Sequence, residues 1–372
     1  MKYLNSVKKT EIYGKTCLLR LDFNIQDNDL KNSIRLKRSI PTILFLLENK
    51  CKIVILSHKG RPAGKLNIKY KKSKLSLKPV SLALAKMLGQ KVKFIEHFGF
   101  KKIKKEIDIS STGSVFLLEN LRFNKGEETN NQLFARQLAL LGDFYVNDAF
   151  AVSHRANASI SKITKYLPSY CGFEMESEIE VFNSVLKKPK KPLILILGGA
   201  KISDKIGIIE NFYNKVDSIL IGGGVANTFF VARNIPIGSS LCDKKSISLI
   251  KKYINDKKII FPIDVIFDDK KAIVDIGSKT IVKYSQIISK AKTVVWNGPM
   301  GVIEKPKYQS GTLGVAKSIS KSKAYSVIGG GETTSFVVKN KLDDGISFVS
   351  IGGGAMLDYL AGYKMPGIES LK

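Results

Sequence analysis

Five times in the second half of this chain, a short aliphatic run ends in glycines: LILILGGAK (193–201), SILIGGGVA (218–226), TVVWNGPMG (293–301), YSVIGGGET (325–333) and FVSIGGGAM (348–356). A short apolar run bounded by turn residues reads as a buried strand of a parallel sheet. The glycines after it let the backbone turn tightly and come close to a ligand. A helix usually follows, and its first N–H groups make an anion site. One such turn carries little weight. Five in one domain predict a phosphate-binding crevice at the carboxyl ends of parallel strands.

The 372 residues exceed what one hydrophobic core normally serves, so two domains are expected. No apolar run approaches the roughly 20 residues of a membrane span. The first residues, MKYLNSVKKTEIYGK, lack the apolar centre of a signal peptide, which leads us to expect a cytoplasmic protein. Cys17, Cys51, Cys171 and Cys242 are far apart and form neither a zinc pattern nor a disulfide framework. The formal charge is +29, much of it in lysine clusters: 69, 71, 72 and 74; 101, 102, 104 and 105; 187, 188, 190 and 191. Nucleic-acid binding is disfavoured, because no aromatic platform or zinc-finger spacing accompanies them, and the lysines read as solvated faces. A positive field would still gather anionic substrates.

The first half alternates strand and helix patterns. Strands are expected at 16–23, 52–57, 114–118 and 144–146, and helices at 37–49, 77–88 and 131–141. Such alternation is the signature of βα units around a parallel sheet. Residues 174–186 (EMESEIEVFNSVL) read as one connecting helix, stopped by the Lys-Pro-Lys-Lys-Pro run 188–192. The glycine turns are irregularly spaced, so they are not a solenoid repeat.

Four segments of the first half gather Arg, His, Asp and Asn at predicted strand ends: RLDFN (20–24), SHKGRP (57–62), ENLRF (119–123) and NDAFAVSHR (147–155). Arg35 falls between the first predicted strand and helix. Arginine forks match carboxylate and phosphate oxygens, so Arg35, Arg61, Arg122 and Arg155 together would hold a small, multiply anionic molecule. His58 and His154 each have an arginine nearby. In the second half Lys201 and Lys205 are four apart, expected on one helix face with a triphosphate between them. Glu332, in the turn Gly329–Gly330–Gly331–Glu332–Thr333, is a hard oxygen ligand suited to Mg²⁺ beside phosphates. No G-x-x-x-x-G-K-[ST], no G-x-G-x-x-G opening a βαβ unit and no protein-kinase motif set occurs, which disfavours P-loop, dinucleotide and protein-kinase chemistry.

Taken together, RLDFNI, RLKRSIPTI, LSHKGRP, LLENLRF, NDAFAVSHRA, GGAKISDKI, GGGVANTF, WNGPMGVIE, GGGET and GGGAMLDYLAG resemble the phosphoglycerate kinase family along the whole chain. The resemblance implies an α/β fold of two similar-sized Rossmann-like domains, each a mainly parallel sheet flanked by helices, joined by a hinge helix. It implies a phosphoglycerate-binding domain at 1–172, completed by 353–372, an interdomain helix at 173–188 and a nucleotide-binding domain at 189–352. It also implies reversible phosphoryl transfer from 1,3-bisphosphoglycerate to Mg-ADP in glycolysis, with domain closure, by a monomer. By motif, Asp22, Asn24, Arg35, His58, Arg61, Arg122 and Arg155 would hold the phosphoglycerate. Gly199, Lys201, Lys205, Gly223, Gly224, Asn297, Pro299, Glu304, Gly330, Gly331, Glu332 and Thr333 would bind nucleotide, with Glu332 on the metal. Arg35, Lys205, Gly331 and Gly354 would act on the moving phosphoryl group.

Some positions depart from the family pattern. Glu332 replaces an aspartate, Ile351 a threonine, Phe348 a histidine, Met356 a serine, Asn157 a histidine and Ala151 a glycine. None removes an arginine or lysine of the implied site, so an active enzyme is expected. The alternative is a weakened enzyme retained as a basic nucleic-acid-binding protein.

Overall fold

The computed structural model describes residues 1–62 and 74–372, so Lys69, Lys71 and Lys72 lie outside the described residues. The chain forms two compact units: Met1–Ile179 with Lys364–Lys372, and Glu180–Tyr363.

In the first unit the strands are β1 (Thr16–Arg20), β2 (Lys52–Leu56), β3 (Val92–Ile95), β4 (Val115–Leu118), β5 (Phe144–Asn147) and β6 (Ser169–Cys171). They pair in the order β3-β4-β2-β1-β5-β6, every pair parallel. All five residues of β1 are buried, as a strand covered on both faces requires. Strands β3 and β6 escaped the sequence reading, being short edge strands. β1 stops at Arg20 instead of running to 23. Beyond it Asp22 accepts from the Asn24 amide at 3.0 Å and the Ser57 hydroxyl accepts from the Phe23 amide at 2.9 Å, so side chains take over from the ladder.

The first long helix spans Ile34–Glu48, three residues earlier at its start than expected. Ser33 caps it, its hydroxyl accepting from the Leu36 amide. Arg35 therefore sits in the first helical turn and not between strand and helix.

The second unit contains β7 (Leu193–Leu197), β8 (Ser218–Ile221), β9 (Ile259–Ile260), β12 (Thr293–Asn297), β13 (Tyr325–Gly329) and β14 (Phe348–Val349). Their order is β14-β13-β12-β7-β8-β9, again all parallel. An antiparallel hairpin, β10 (Val265–Phe267) and β11 (Ile273–Ile276), forms its own small sheet. Trp296 is fully buried in this core, and its indole N–H donates to Gly298 O at 2.8 Å. The five glycine turns thus follow five adjacent strands at one edge of one sheet.

The helix Phe173–Lys187 crosses from one unit into the other at Ile179. The chain returns to the first unit at Lys364, not at 353 as the resemblance implied. The helix Gly354–Leu360 stays in the second unit, where the Asn211 side-chain amide donates to Leu360 O at 2.7 Å. The final segment reaches the first unit through the Gly367 amide, which donates to Ser153 O at 2.8 Å. No helix among the described residues is long and apolar enough to cross a membrane.

Candidate active site

The four arginine-bearing segments of the first unit follow β1, β2, β4 and β5, which are neighbours in the sheet. Parallel pairing therefore delivers their side chains to a single edge. His58, just beyond β2, is 2 % exposed. Burial holds its imidazole well below the ordinary histidine range, and the charges of Arg20, Arg122, Arg35 and Arg155 push the same way. Of these, Arg20 touches the ring, its Nη2 lying 3.2 Å from His58 Nδ1.

Asp22, also buried, pairs with Arg35 and lies 3.8 Å from His58 Nδ1. Asn24 accepts from the Gly60 amide at 2.9 Å, and Arg122 donates to Gly60 O at 2.7 Å, which fixes the loop that carries exposed Arg61. Burial lowers Arg122 to about 10, with Glu128 opposing. Arg155 Nε donates to His154 Nε2 at 3.0 Å. Arg20 belongs to this cluster, yet no role was expected for it. The only sequence signal is its place at the end of β1.

In the second unit the turns interlock. A Cβ on Gly298, whose φ is +90°, would meet Gly198 O at 2.3 Å, and one on Gly198 would meet Pro299 O at 2.1 Å. The helix Gly223–Ala232 does not keep its first N–H groups for an anion. Gly223 N donates to Met300 O at 2.9 Å and Val225 N to Gly199 O at 3.3 Å. By contrast, the helix Gly331–Lys339 leaves the first-turn N–H groups of Gly331, Glu332 and Thr333 with no acceptor inside the helix. Cβ atoms on Gly331 and Gly354 would enter open space, so a ligand can come close to both backbones.

Lys201 and Lys205 do not share a helix face. The helix begins at Ile206, and both lysines precede it in a turn closed by the Lys205 amide on Ile202 O at 2.8 Å. Lys201 is exposed, whereas Lys205 is 6 % exposed. Burial lowers the Lys205 ammonium against the opposing pull of Asp204 and Glu332.

A cavity of about 220 Å³ is lined by Gly199, Gly223, Gly224, Pro299, Glu304 and Glu332, among others. Lys201, Lys205, Asn297, Gly330, Gly331, Thr333 and Gly354 do not line it. Thr333 is buried, its hydroxyl accepting from the Gly298 amide at 3.1 Å, and Asn297 Nδ2 is a buried donor with no partner beside Gly330. Phe230, Leu241, Pro262 and Val265 line the cavity too. They escaped the sequence reading because ordinary apolar residues carry no local signal.

Asp275, on β11, also lines the cavity and holds its wall. Its carboxylate accepts from the Gly311 amide at 2.7 Å and the Ile276 amide at 2.9 Å. Burial nevertheless lifts it to about 6. The folded state thus holds this proton more tightly than the unfolded chain. The corresponding stability is full below the ordinary aspartate range near 3.8 and is lost as pH rises through about 6. Asp275→Asn removes that dependence. Denaturant unfolding of both proteins should show the parent gaining on the variant, by on the order of 2 kcal/mol, as pH falls through this window. A constant difference between them would refute the shift.

Three family departures are absorbed by packing. Phe348 meets Phe182 edge-on, with ring centroids 6.4 Å apart. Met356 is fully buried, its sulfur filling the space above Gly329. Asn157 donates to Glu127 O at 3.3 Å. Nothing in the structure explains Ile351 or Ala151.

The family model described as phosphoglycerate kinase matches residues 7–363. The phosphoglycerate kinases of Pseudothermotoga lettingae and Finegoldia magna are 40% and 39% identical, each alignment covering 98% of both chains. Among solved structures, the enzyme of Coxiella burnetii superposes with a TM-score of 0.82 at 35% identity, covering 99% of this chain and 98% of that one. The enzyme of Pyrococcus horikoshii gives 0.87 at 31%, covering 100% and 98%. Nothing in these matches supports the nucleic-acid-binding alternative. Arginine-walled strand ends in one unit, glycine turns with a buried lysine in the other, and matches along nearly the whole length lead to one conclusion: the chain belongs to the phosphoglycerate kinase family.

Proposed function

We propose that the chain transfers a phosphoryl group between 1,3-bisphosphoglycerate and ADP by direct in-line displacement, giving 3-phosphoglycerate and ATP in glycolysis. The observation that carries this reading is the gathering of arginine-bearing strand ends at buried His58, where Arg20 Nη2 lies 3.2 Å from Nδ1 and Asp22, paired with Arg35, lies 3.8 Å from it. A three-carbon acid bearing one or two phosphates supplies the matching negative charge.

An oxygen of the terminal ADP phosphate attacks phosphorus, and the bond from phosphorus to the carboxyl oxygen breaks. The leaving group is already a stable carboxylate, so no general acid or base is required. Catalysis then rests on alignment and charge neutralisation. In this reading Asp22, Asn24, His58, Arg61, Arg122 and Arg155 hold the phosphoglycerate. Arg35 and Lys205 neutralise the moving group, and the amides of Gly331 and Gly354 donate to it. Gly199, Gly223, Gly224 and Pro299 border the base, Glu304 binds the ribose, and Lys201, Asn297, Gly330 and Thr333 serve the phosphate end. The two substrates bind to different units, so transfer requires domain closure that also excludes water.

Mg²⁺ fits this arrangement. Among the described residues no three acidic, His or Cys side chains could hold a metal by themselves. Exposed Glu332 lies at the cavity beside the free first-turn amides, and Mg²⁺ commonly takes one or two carboxylates plus substrate phosphates. When bound there it would offset the negative charge of the nucleotide. Glu332→Asp shortens the reach by one methylene, and we expect Mg-supported activity to be kept or raised, by no more than about tenfold. Titrating activity against Mg²⁺ and Mn²⁺ checks this. An inactive aspartate variant would show that the longer acid is compensated elsewhere in the site.

The same reading has the protein working in the cytoplasm and as a monomer, and light scattering of the purified chain would test the second point. The decisive experiment is ATP-dependent phosphorylation of 3-phosphoglycerate in a coupled assay with Mg²⁺. Turnover in the ordinary range of metabolic enzymes is expected. A folded protein that binds ATP and gives no turnover with Mg²⁺ or Mn²⁺ would overturn the reading.

A further inference from the structure

A chain of buried polar groups runs from Glu127 to His58 in the first unit. Glu127 and Arg20 are each 1 % exposed, and Ser159 is fully buried. Ser159 lies on a single π-helical turn, Ala158–Lys162, a local distortion often found where a site needs one residue re-aimed. Its hydroxyl donates to Glu127 Oε1 at 2.7 Å, and its amide donates to Glu127 Oε2 at 3.0 Å. Tyr145 donates to Ser159 O at 2.7 Å, which pins the turn. With its hydrogen committed to Glu127, Ser159 Oγ is left as an acceptor, and Arg20 Nε donates to it at 2.9 Å. Arg20 Nη1 donates to Leu21 O, and Nη2 lies 3.2 Å from His58 Nδ1.

A guanidinium has no acceptor atom. His58 Nδ1 must therefore accept, because a hydrogen there would set two donors against each other. We propose that Glu127 and Ser159, acting through Arg20, are positioning residues that lock His58 as the neutral tautomer with its proton on Nε2. The inference rests on the reading of this edge as the phosphoglycerate site. Carboxylate and phosphate oxygens only accept when ionised, so an Nε2–H donor is the form a bound anion requires. The charged groups that act on the ring are Arg20, 3.2 Å from Nδ1, Asp22, 3.8 Å from it, and, through their fields, Arg35, Arg122 and Arg155. Four cations against one carboxylate oppose protonation, so the ring donates without adding a fifth positive charge. Glu127 offsets the buried Arg20 charge through a hydroxyl, one step away from the ligand.

The chain has only three histidines, so ¹⁵N-imidazole NMR of the whole protein can resolve His58. We expect the Nε2–H pattern at His58, unchanged from about pH 5 to pH 8. In Ser159→Ala and in Glu127→Gln the pattern should become a tautomer mixture or begin to titrate. KM for 3-phosphoglycerate should rise roughly tenfold while KM for ATP holds, a split that general loss of structure would not produce. A His58 that is Nδ1–H or protonated in the parent protein overturns the proposal even if neither variant folds. So does an unaltered pattern in both folded variants. Failure of the site reading is distinguishable: the parent would then show the expected tautomer but bind no 3-phosphoglycerate.

Discussion

Arg35→Ala should lower turnover by about a thousandfold and leave nucleotide affinity nearly unchanged, the scale seen when an arginine that stabilises phosphoryl-transfer charge is removed. Arg35 is three-quarters buried in the first turn of the helix Ile34–Glu48 and paired with Asp22. Burial weakens its hold on the proton, against the opposing pull of Glu178 and Glu174. A charge held by surrounding carboxylates needs no reorganisation when a phosphoryl group arrives. The proposed nucleotide contacts belong to the other unit, so calorimetric titration with ADP should match the parent. Arg35→Lys keeps the charge but loses the planar fork, and should fall in between. Parent-like turnover in the alanine variant would remove Arg35 from the chemistry.

Gly298→Ala should have the largest effect on stability. The position has φ +90°, and an added Cβ would lie 2.3 Å from Gly198 O and 2.4 Å from Gly198 C. Both obstacles are backbone and cannot rotate away. Left-handed strain and overpacking together cost about 3 kcal/mol or more. For a unit of this size that lowers the melting midpoint by roughly 6–12 °C. Gly199 and Pro299, the neighbours of this contact, line the cavity proposed to take the nucleotide, so ADP binding should weaken with it. Calorimetric melting of the two proteins, with and without ADP, decides the matter. An unchanged midpoint would mean that the two turns are not locked together as described.

Legibility in the sequence followed the range of the interaction. The five glycine turns and the four arginine segments were readable because each is a strand and its turn within about ten residues, and period and residue type are local properties. The lysine pair at 201 and 205 was placed on a helix by spacing alone. A turn closed on Ile202 O delays that helix to Ile206, so only Lys205 is buried. Arg20 is visible at a strand end, but its partners are not: Ser159 is 139 residues away, and Glu127 lies 32 residues before Ser159. Asp275 resembles any strand aspartate until Gly301 and Gly311 are seen to close on its carboxylate.

The sequence by itself determined the class of fold, the gathering of arginines at strand ends in one half and of glycine turns in the other, and the family resemblance, because these depend on hydrophobic period and on motifs of adjacent residues. Strand order was left to the tertiary structure. Parallel pairing set β4, β2, β1 and β5 side by side in one unit and β14, β13, β12, β7 and β8 in the other, so that separate loops reach one edge. Tertiary packing also decided which charges are desolvated, and hence that His58 stays neutral among arginines, Lys205 is weakened and Asp275 is raised. Burial and long-range partners set those states, and neither is a property of residues next to one another in the chain.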